Sequence, residues 1–181
     1  LWAKFDTSMG NIICSLEATR APRTVENFVG LAEGTKEWTD PYIKSKKKEP
    51  LYNGTIFHRV IPGFMIQGGD PNTKDPAKGI ETWGQGSPEY KIEPEAGDRV
   101  HARYVLSAAK NPNELQSSGS QFFITTGTPH HLDGIHTVFG AVIEGQTAVD
   151  ELNSVPTRPN QGQQRDIPEA PVPAIASARV R

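Results

Sequence analysis

The chain has 181 residues, a formal net charge of −2, 35% hydrophobic and 22% charged residues, a balance that fits one soluble globular domain with room for a sizeable core. So small a charge excludes a broad attraction to nucleic acid or anionic lipid, and no apolar run approaches the roughly 20 residues of a membrane span. The lone cysteine, Cys14, excludes an internal disulfide, and between Ile13 and Ser15 it reads as a buried structural thiol.

In chain order, residues 2–7 and 11–17 read as a β-hairpin across Ser8-Met9-Gly10. Ala21 to Glu33 reads as a helix: Pro22 suits its first turn. Val25, Phe28, Val29 and Ala32 follow helical spacing, and Gly34 is a C-terminal stop. Residues 35–53 form a polar loop carrying Lys44, Lys46, Lys47 and Lys48, diluted by Glu37, Asp40 and Glu49 and lacking interleaved aromatics, so a solvated loop is expected rather than a nucleic-acid platform.

Residues 56 to 71 are the most informative run. Ile56, His58 and Val60 alternate with Phe57, Arg59 and Ile61, Pro62-Gly63 marks a turn, and Phe64 to Gln67 form a second strand closed by Gly68-Gly69-Asp70-Pro71. A guanidinium, an aromatic ring, a thioether and an amide are thereby brought onto adjacent strand segments. Residues 72–96 are irregular. Arg99–Ser107, Gln121–Thr125, Thr137–Ile143 and Ala174–Val180 read as strands, Ala148–Asn153 as a short helix, and 154–173 as a Pro- and Gln-rich crossing or loop. About eight strands with edges to satisfy favour a barrel.

The run Phe57-His58-Arg59, Gly63-Phe64-Met65, Gln67-Gly68-Gly69-Asp70 closely resembles the signature of the cyclophilins, the peptidyl-prolyl cis-trans isomerases. Gly119-Ser120-Gln121-Phe122-Phe123-Ile124 and Leu132-Asp133-Gly134 with His136, Val138, Phe139 and Gly140 resemble two further family motifs, in family order, and the likeness runs over almost the whole chain. It implies a closed eight-stranded antiparallel β-barrel capped by two α-helices, in one domain spanning 1–181.

The resemblance also implies isomerisation of X-Pro bonds in polypeptides, with no cofactor or metal. Arg59 is the implied catalytic donor. Phe64, Met65, Phe123 and Leu132 are the implied walls of a proline pocket, with His136 in it and Gln67 and Gln121 on its polar rim. Ala109 falls where family members pair their backbone with substrate. The loop Lys110-Asn111-Pro112-Asn113-Glu114-Leu115-Gln116 departs from the usual pattern by about two residues, so that alignment holds to within one residue. His131 stands where relatives carry Trp or Phe, which implies reduced affinity for cyclosporin. A monomer is expected, in a bacterial cytoplasm or periplasm; the chain begins at Leu1 without Met, which leaves the compartment open.

Three other readings compete. His130, His131, Asp133 and His136 are of metal-ligand type, but lie in a Pro-containing loop rather than at i, i+4 on a helix. Ser, His and Asp are present without a Gly-x-Ser-x-Gly elbow. A silent proline-peptide binding module would keep the pocket and lose the donor, whereas Arg59 is present.

Overall fold

The computed structural model describes residues 1–161 and 165–181. Its strands are β1 (Trp2–Thr7), β2 (Gly10–Leu16), β3 (Trp38–Thr39), β4 (Lys46–Lys47), β5 (Thr55–Ile56), β6 (Arg59–Ile61), β7 (Met65–Gly68), β8 (Lys91–Ile92), β9 (Val105–Ala108), β10 (Ser117–Ser118), β11 (Phe122–Thr125), β12 (Val138–Glu144) and β13 (Ala174–Val180). The helices are α1 (Pro22–Glu33) and α2 (Gln146–Asn153).

Nine strands form one antiparallel row, β5-β13-β1-β2-β12-β9-β11-β7-β6, while β3 pairs with β4 and β8 with β10. The expected closed ring of eight is corrected in one respect. The two ends of the row, β5 and β6, are halves of a single segment, 55–61, interrupted at Phe57-His58. The ring is completed through the covalent chain there, and the ladder itself stays open. Phe57 N–H donates to the Pro173 carbonyl and Val60 N–H to that of Asp166, so the 166–173 crossing takes up backbone groups near the break.

The helix α1 begins at Pro22 and ends at Gly34, whose φ of +71° is the left-handed cap that glycine adopts freely. Its buried face is centred on Val25, Phe28, Leu31 and Ala32; Val29 is only half-buried. The expected strand 99–107 starts instead at Val105. Ala102 N–H closes a tight turn onto the Val100 carbonyl, and Tyr104 sits at φ +67°, which a strand cannot include. The loop 35–53 is less solvated than expected: Trp38, Leu51 and Tyr52 are buried. Its lysines meet acids, Lys44 with Glu89, Lys46 with Glu37, and Lys47 with Asp40 and Glu49. The 154–173 stretch is described except at 162–164.

The main core lies inside the curled sheet, where Phe5, Phe28, Tyr52, Phe57, Phe122 and Phe139 sit in one ring cluster. A separate apolar cluster forms around Met65, Ala109 and Phe123, with Ile61, Phe64 and Leu132 against it.

Candidate active site

Strand register builds the site. Arg59 pairs with Gln67, Gln67 with Phe123, and Phe123 with Ser107, so one line of side chains crosses β6, β7, β11 and β9 on a shared face. One step along, Ile61 faces Met65 and Met65 faces Thr125. The alternate residues Val60, Ile66, Phe122 and Ile124 point into the main core. The hairpin between β6 and β7 is fixed by Gly63 at φ +71° and by Asn153, the last residue of α2. The Asn153 amide donates to the carbonyls of Ile61 and Met65 and accepts from Gly63 N–H.

This face forms a cleft of about 830 Å³ lined by Arg59, Phe64, Met65, Gln67, Ala109, Phe123, Leu132 and His136, together with His58, Glu81, Trp83, Gly84, Lys110, Asn111 and Pro112. Two expected site residues fall elsewhere. Gln121 lies behind the lining: its Oε1 accepts from Gln67 and its Nε2 donates to the carbonyls of Gly84 and Gly86. His131 is exposed at the rim, its ring 5.9 Å from that of Phe64.

Ala109 contributes its buried methyl, but its backbone is already engaged. Its N–H donates to Gln121 and its carbonyl accepts from Ser118. The backbone N–H and C=O of Lys110, one residue on, have no hydrogen-bond partner among the described residues. The free edge therefore sits at Lys110 rather than Ala109.

Arg59 has a partner that sequence neighbours could not reveal. Its Nε donates to Asp166 at 3.3 Å, across 107 positions, with the Arg59 side chain 42% exposed. Its terminal amines have no hydrogen-bond partner among the described residues.

Behind the cleft runs a buried polar chain. Asp133 accepts from the His101 backbone N–H at 2.6 Å and lies 2.9 Å from its Nδ1; His101 Nε2 lies 3.0 Å from Ser107 Oγ. The His101 imidazole stacks flat against Phe123, at 12° between planes. The His101 backbone N–H is the main reason the Asp133 carboxyl is pulled down to about 2. Burial, foremost, lowers the pKa of both His101 and His136. This chain has the connectivity of a Ser-His-Asp triad, but Ser107 and His101 are fully buried and Ser107 Oγ–H donates to the Thr137 carbonyl. It offers the cleft no nucleophile.

The ligand-type residues of the 130–136 loop diverge. Asp133 bridges His130 and His101, His136 Nδ1 meets the Ala108 carbonyl, and His131 faces Phe64. His58, next to Arg59, was missed as a lining residue. It is 3% exposed, both ring nitrogens lack a partner among the described residues, and burial drives its pKa down to about 3.

The sequence profile of the family described as "Cyclophilin type peptidyl-prolyl cis-trans isomerase/CLD" matches residues 2–178. Peptidyl-prolyl cis-trans isomerase B of Streptomyces anulatus is 42% identical over 166 residues, covering 88% of this chain and 87% of that one. Peptidyl-prolyl cis-trans isomerase A of Mycobacterium tuberculosis is 40% identical over 163 residues, covering 87% and 83%. The crystal structure of a Cryptosporidium parvum cyclophilin type peptidyl-prolyl cis-trans isomerase, determined in the presence of the dipeptide Ala-Pro, superposes with a TM-score of 0.78 at 24% identity, covering 100% of this chain and 99% of that one. The chain belongs to the cyclophilin-type peptidyl-prolyl cis-trans isomerases. Its activity is the isomerisation of peptide bonds that precede proline. No helix among the described residues is long and apolar enough to cross a membrane.

Proposed function

We propose that Arg59 polarises the prolyl amide of X-Pro polypeptides while Phe64, Met65, Phe123 and Leu132 hold the proline ring, in one domain spanning 1–181 that assists protein folding as a monomer. The observation that carries this reading is the register line that sets Arg59 beside Gln67 and Phe123 over a second apolar cluster. That cluster is the right chemistry for a pyrrolidine ring, and the terminal guanidinium amines beside it are the right chemistry for the amide.

Rotation about X-Pro breaks no bond, so the site needs no nucleophile. It needs to favour the twisted amide over both planar forms. A rise from about 0.01 to about 1000 per second is five decades, or roughly 7 kcal/mol. Twisting localises a lone pair on the prolyl nitrogen, and a charged donor in a partly dry cleft stabilises it. Arginine stays protonated, so its part is electrostatic. The extended substrate pairs with the backbone of Lys110. His136 and Gln67 supply polar contacts at the pocket. Cyclosporin, which blocks this pocket in the family, binds with reduced affinity because His131 offers less apolar area than Trp.

The test is turnover of an X-Pro peptide by a correctly folded Arg59→Ala protein. The expected loss in kcat/KM is about two to three decades, or roughly 3–4 kcal/mol. Arg59→Lys is also poor, because a point charge lacks the planar fork. A near-normal rate in Arg59→Ala would sink the mechanism and leave peptide binding without a catalytic donor.

A further inference from the structure

One wall of the cleft is formed by Glu81, inside a short 3-10 turn (Ile80–Thr82), and by Trp83, Gly84 and Gln85 just after it. Two buried side chains hold it in place. Asp70, fully buried, accepts with Oδ2 from the N–H groups of Gly84 at 2.5 Å and Gly86 at 3.1 Å. Gln121, 7% exposed, donates with Nε2 to the carbonyls of the same two residues, at 3.1 and 2.7 Å. Both glycines are thus gripped through donor and acceptor alike.

The two anchors are themselves fixed. Asp70 Oδ1 accepts from Asn72 N–H, its carbonyl accepts from the Thr73 hydroxyl, and the residue lies two positions past the end of β7. Gln121 immediately precedes β11, and its Oε1 is held by Gln67. Both N–H bonds of the Gln121 amide are in use, so it has no donor left for a substrate. Gly86 is required by the clamp, since a Cβ there would lie 1.9 Å from Asp70 Oδ1.

We infer that Asp70 and Gln121 are positioning residues that set the width of the groove taking the peptide residues flanking the proline. The wall lines the same cleft as Ala109, Lys110, Asn111 and Pro112, and the Lys110 backbone has no hydrogen-bond partner among the described residues. A peptide laid on that edge meets the clamped wall with its flanking residues and the Met65–Phe123 pocket with its ring. Loosening the clamp then penalises long substrates and spares short ones. This rests on the reading that the cleft holds the prolyl peptide.

The experiment compares two substrates sharing one X-Pro bond, an N-acetyl dipeptide amide and a hexapeptide with that bond at its centre, followed by NMR exchange. Gln121→Glu keeps the acceptor for Gln67 and removes both donations to the wall. KM for the hexapeptide should rise about tenfold with kcat within about twofold, and kcat/KM for the dipeptide should fall by no more than about twofold. Asp70→Asn, which turns one acceptor into a donor facing N–H groups, should reproduce the length-graded pattern, and Gln121→Met serves if either fails to fold. Equal losses on both substrates, or no loss on either, would overturn the positioning role. Arg59→Ala, run on the same pair, separates the two ideas. Full activity of Arg59→Ala on both peptides defeats the catalytic reading, whereas loss on both with a length-blind Gln121→Glu defeats the clamp alone.

Discussion

Asp166 places a carboxylate against the guanidinium of Arg59, which lines the cleft, from a residue at φ +57° whose N–H donates to Asn160. A partly exposed ion pair of this kind contributes roughly 0–1 kcal/mol to stability, so its larger expected consequence is orientation: with Nε held, Arg59 has fewer guanidinium orientations open to it in the cleft it lines. Asp166→Asn tolerates the left-handed backbone and still offers an acceptor, so it should keep most of kcat. Asp166→Ala should lower kcat about tenfold, about 1.4 kcal/mol, with little change in Tm. A rise in kcat in both variants would instead mean that the carboxylate restrains the guanidinium. His131 is the other residue-scale test. His131→Trp should tighten cyclosporin inhibition by about one to two decades, for roughly 1–3 kcal/mol of added apolar cover. Unchanged inhibition would remove His131 from that contact.

On β11, Phe122 and Phe123 are adjacent and point to opposite faces, one into the main ring cluster and one into the cleft cluster. Phe122→Ala should therefore cost about 3–5 kcal/mol of stability. Phe123→Ala should act chiefly on substrate binding and rate, and a melt and a rate on each sample decide between them. Two equal losses of stability would mean that Phe123 is ordinary core. Much of this was legible in sequence. The strands read over 56–61 and 64–67 from apolar alternation broken by Pro62-Gly63 coincide largely with β6 and β7, though the chain breaks at Phe57-His58, and the β11 residues follow from their motif. What was not legible depends on distant partners. Trp38, Leu51 and Tyr52 sit among lysines and acids that mask a buried segment. Tyr104 turns the chain at φ +67° inside an apparently strand-like run. Gln121 reads as a rim amide until Gly84 and Gly86 are seen to occupy it, and Asp166 meets Arg59 across a separation that carries no local pattern.

Over the whole molecule, acid is the condition that buried histidine makes hazardous. Burial holds the His58 imidazole down to about 3 in the folded chain, against 6.5 for an exposed histidine. Between those values the unfolded chain holds a proton that the native one lacks, so its contribution to stability is complete above pH 6.5. It is lost as pH falls, at up to about 1.4 kcal/mol per pH unit. Tm measured from pH 7 to 4.5 should drop, and His58→Gln should drop less steeply; identical slopes would show that His58 is not the group responsible. Cys14 is silent by the same cause. Burial pushes its thiol up to about 12, so alkylation should require unfolding, and rapid labelling of native protein would contradict its buried placement.

The pairing of β1 with β13 sets how this molecule comes into being. The last strand lies between β5 and β1, and Trp2 and Arg181 exchange backbone hydrogen bonds. During synthesis β1 and β2 emerge before the other strands of this sheet, yet β1 waits for its other neighbour until some 170 further residues have been added. Pairings so remote in sequence pay their loop-closure entropy late, and they place refolding in the range of milliseconds to seconds rather than microseconds. Stopped-flow refolding of the whole chain should be that slow. Removing 174–180 should leave β1 and β5 with bare edges, seen as aggregation rather than a smaller folded core.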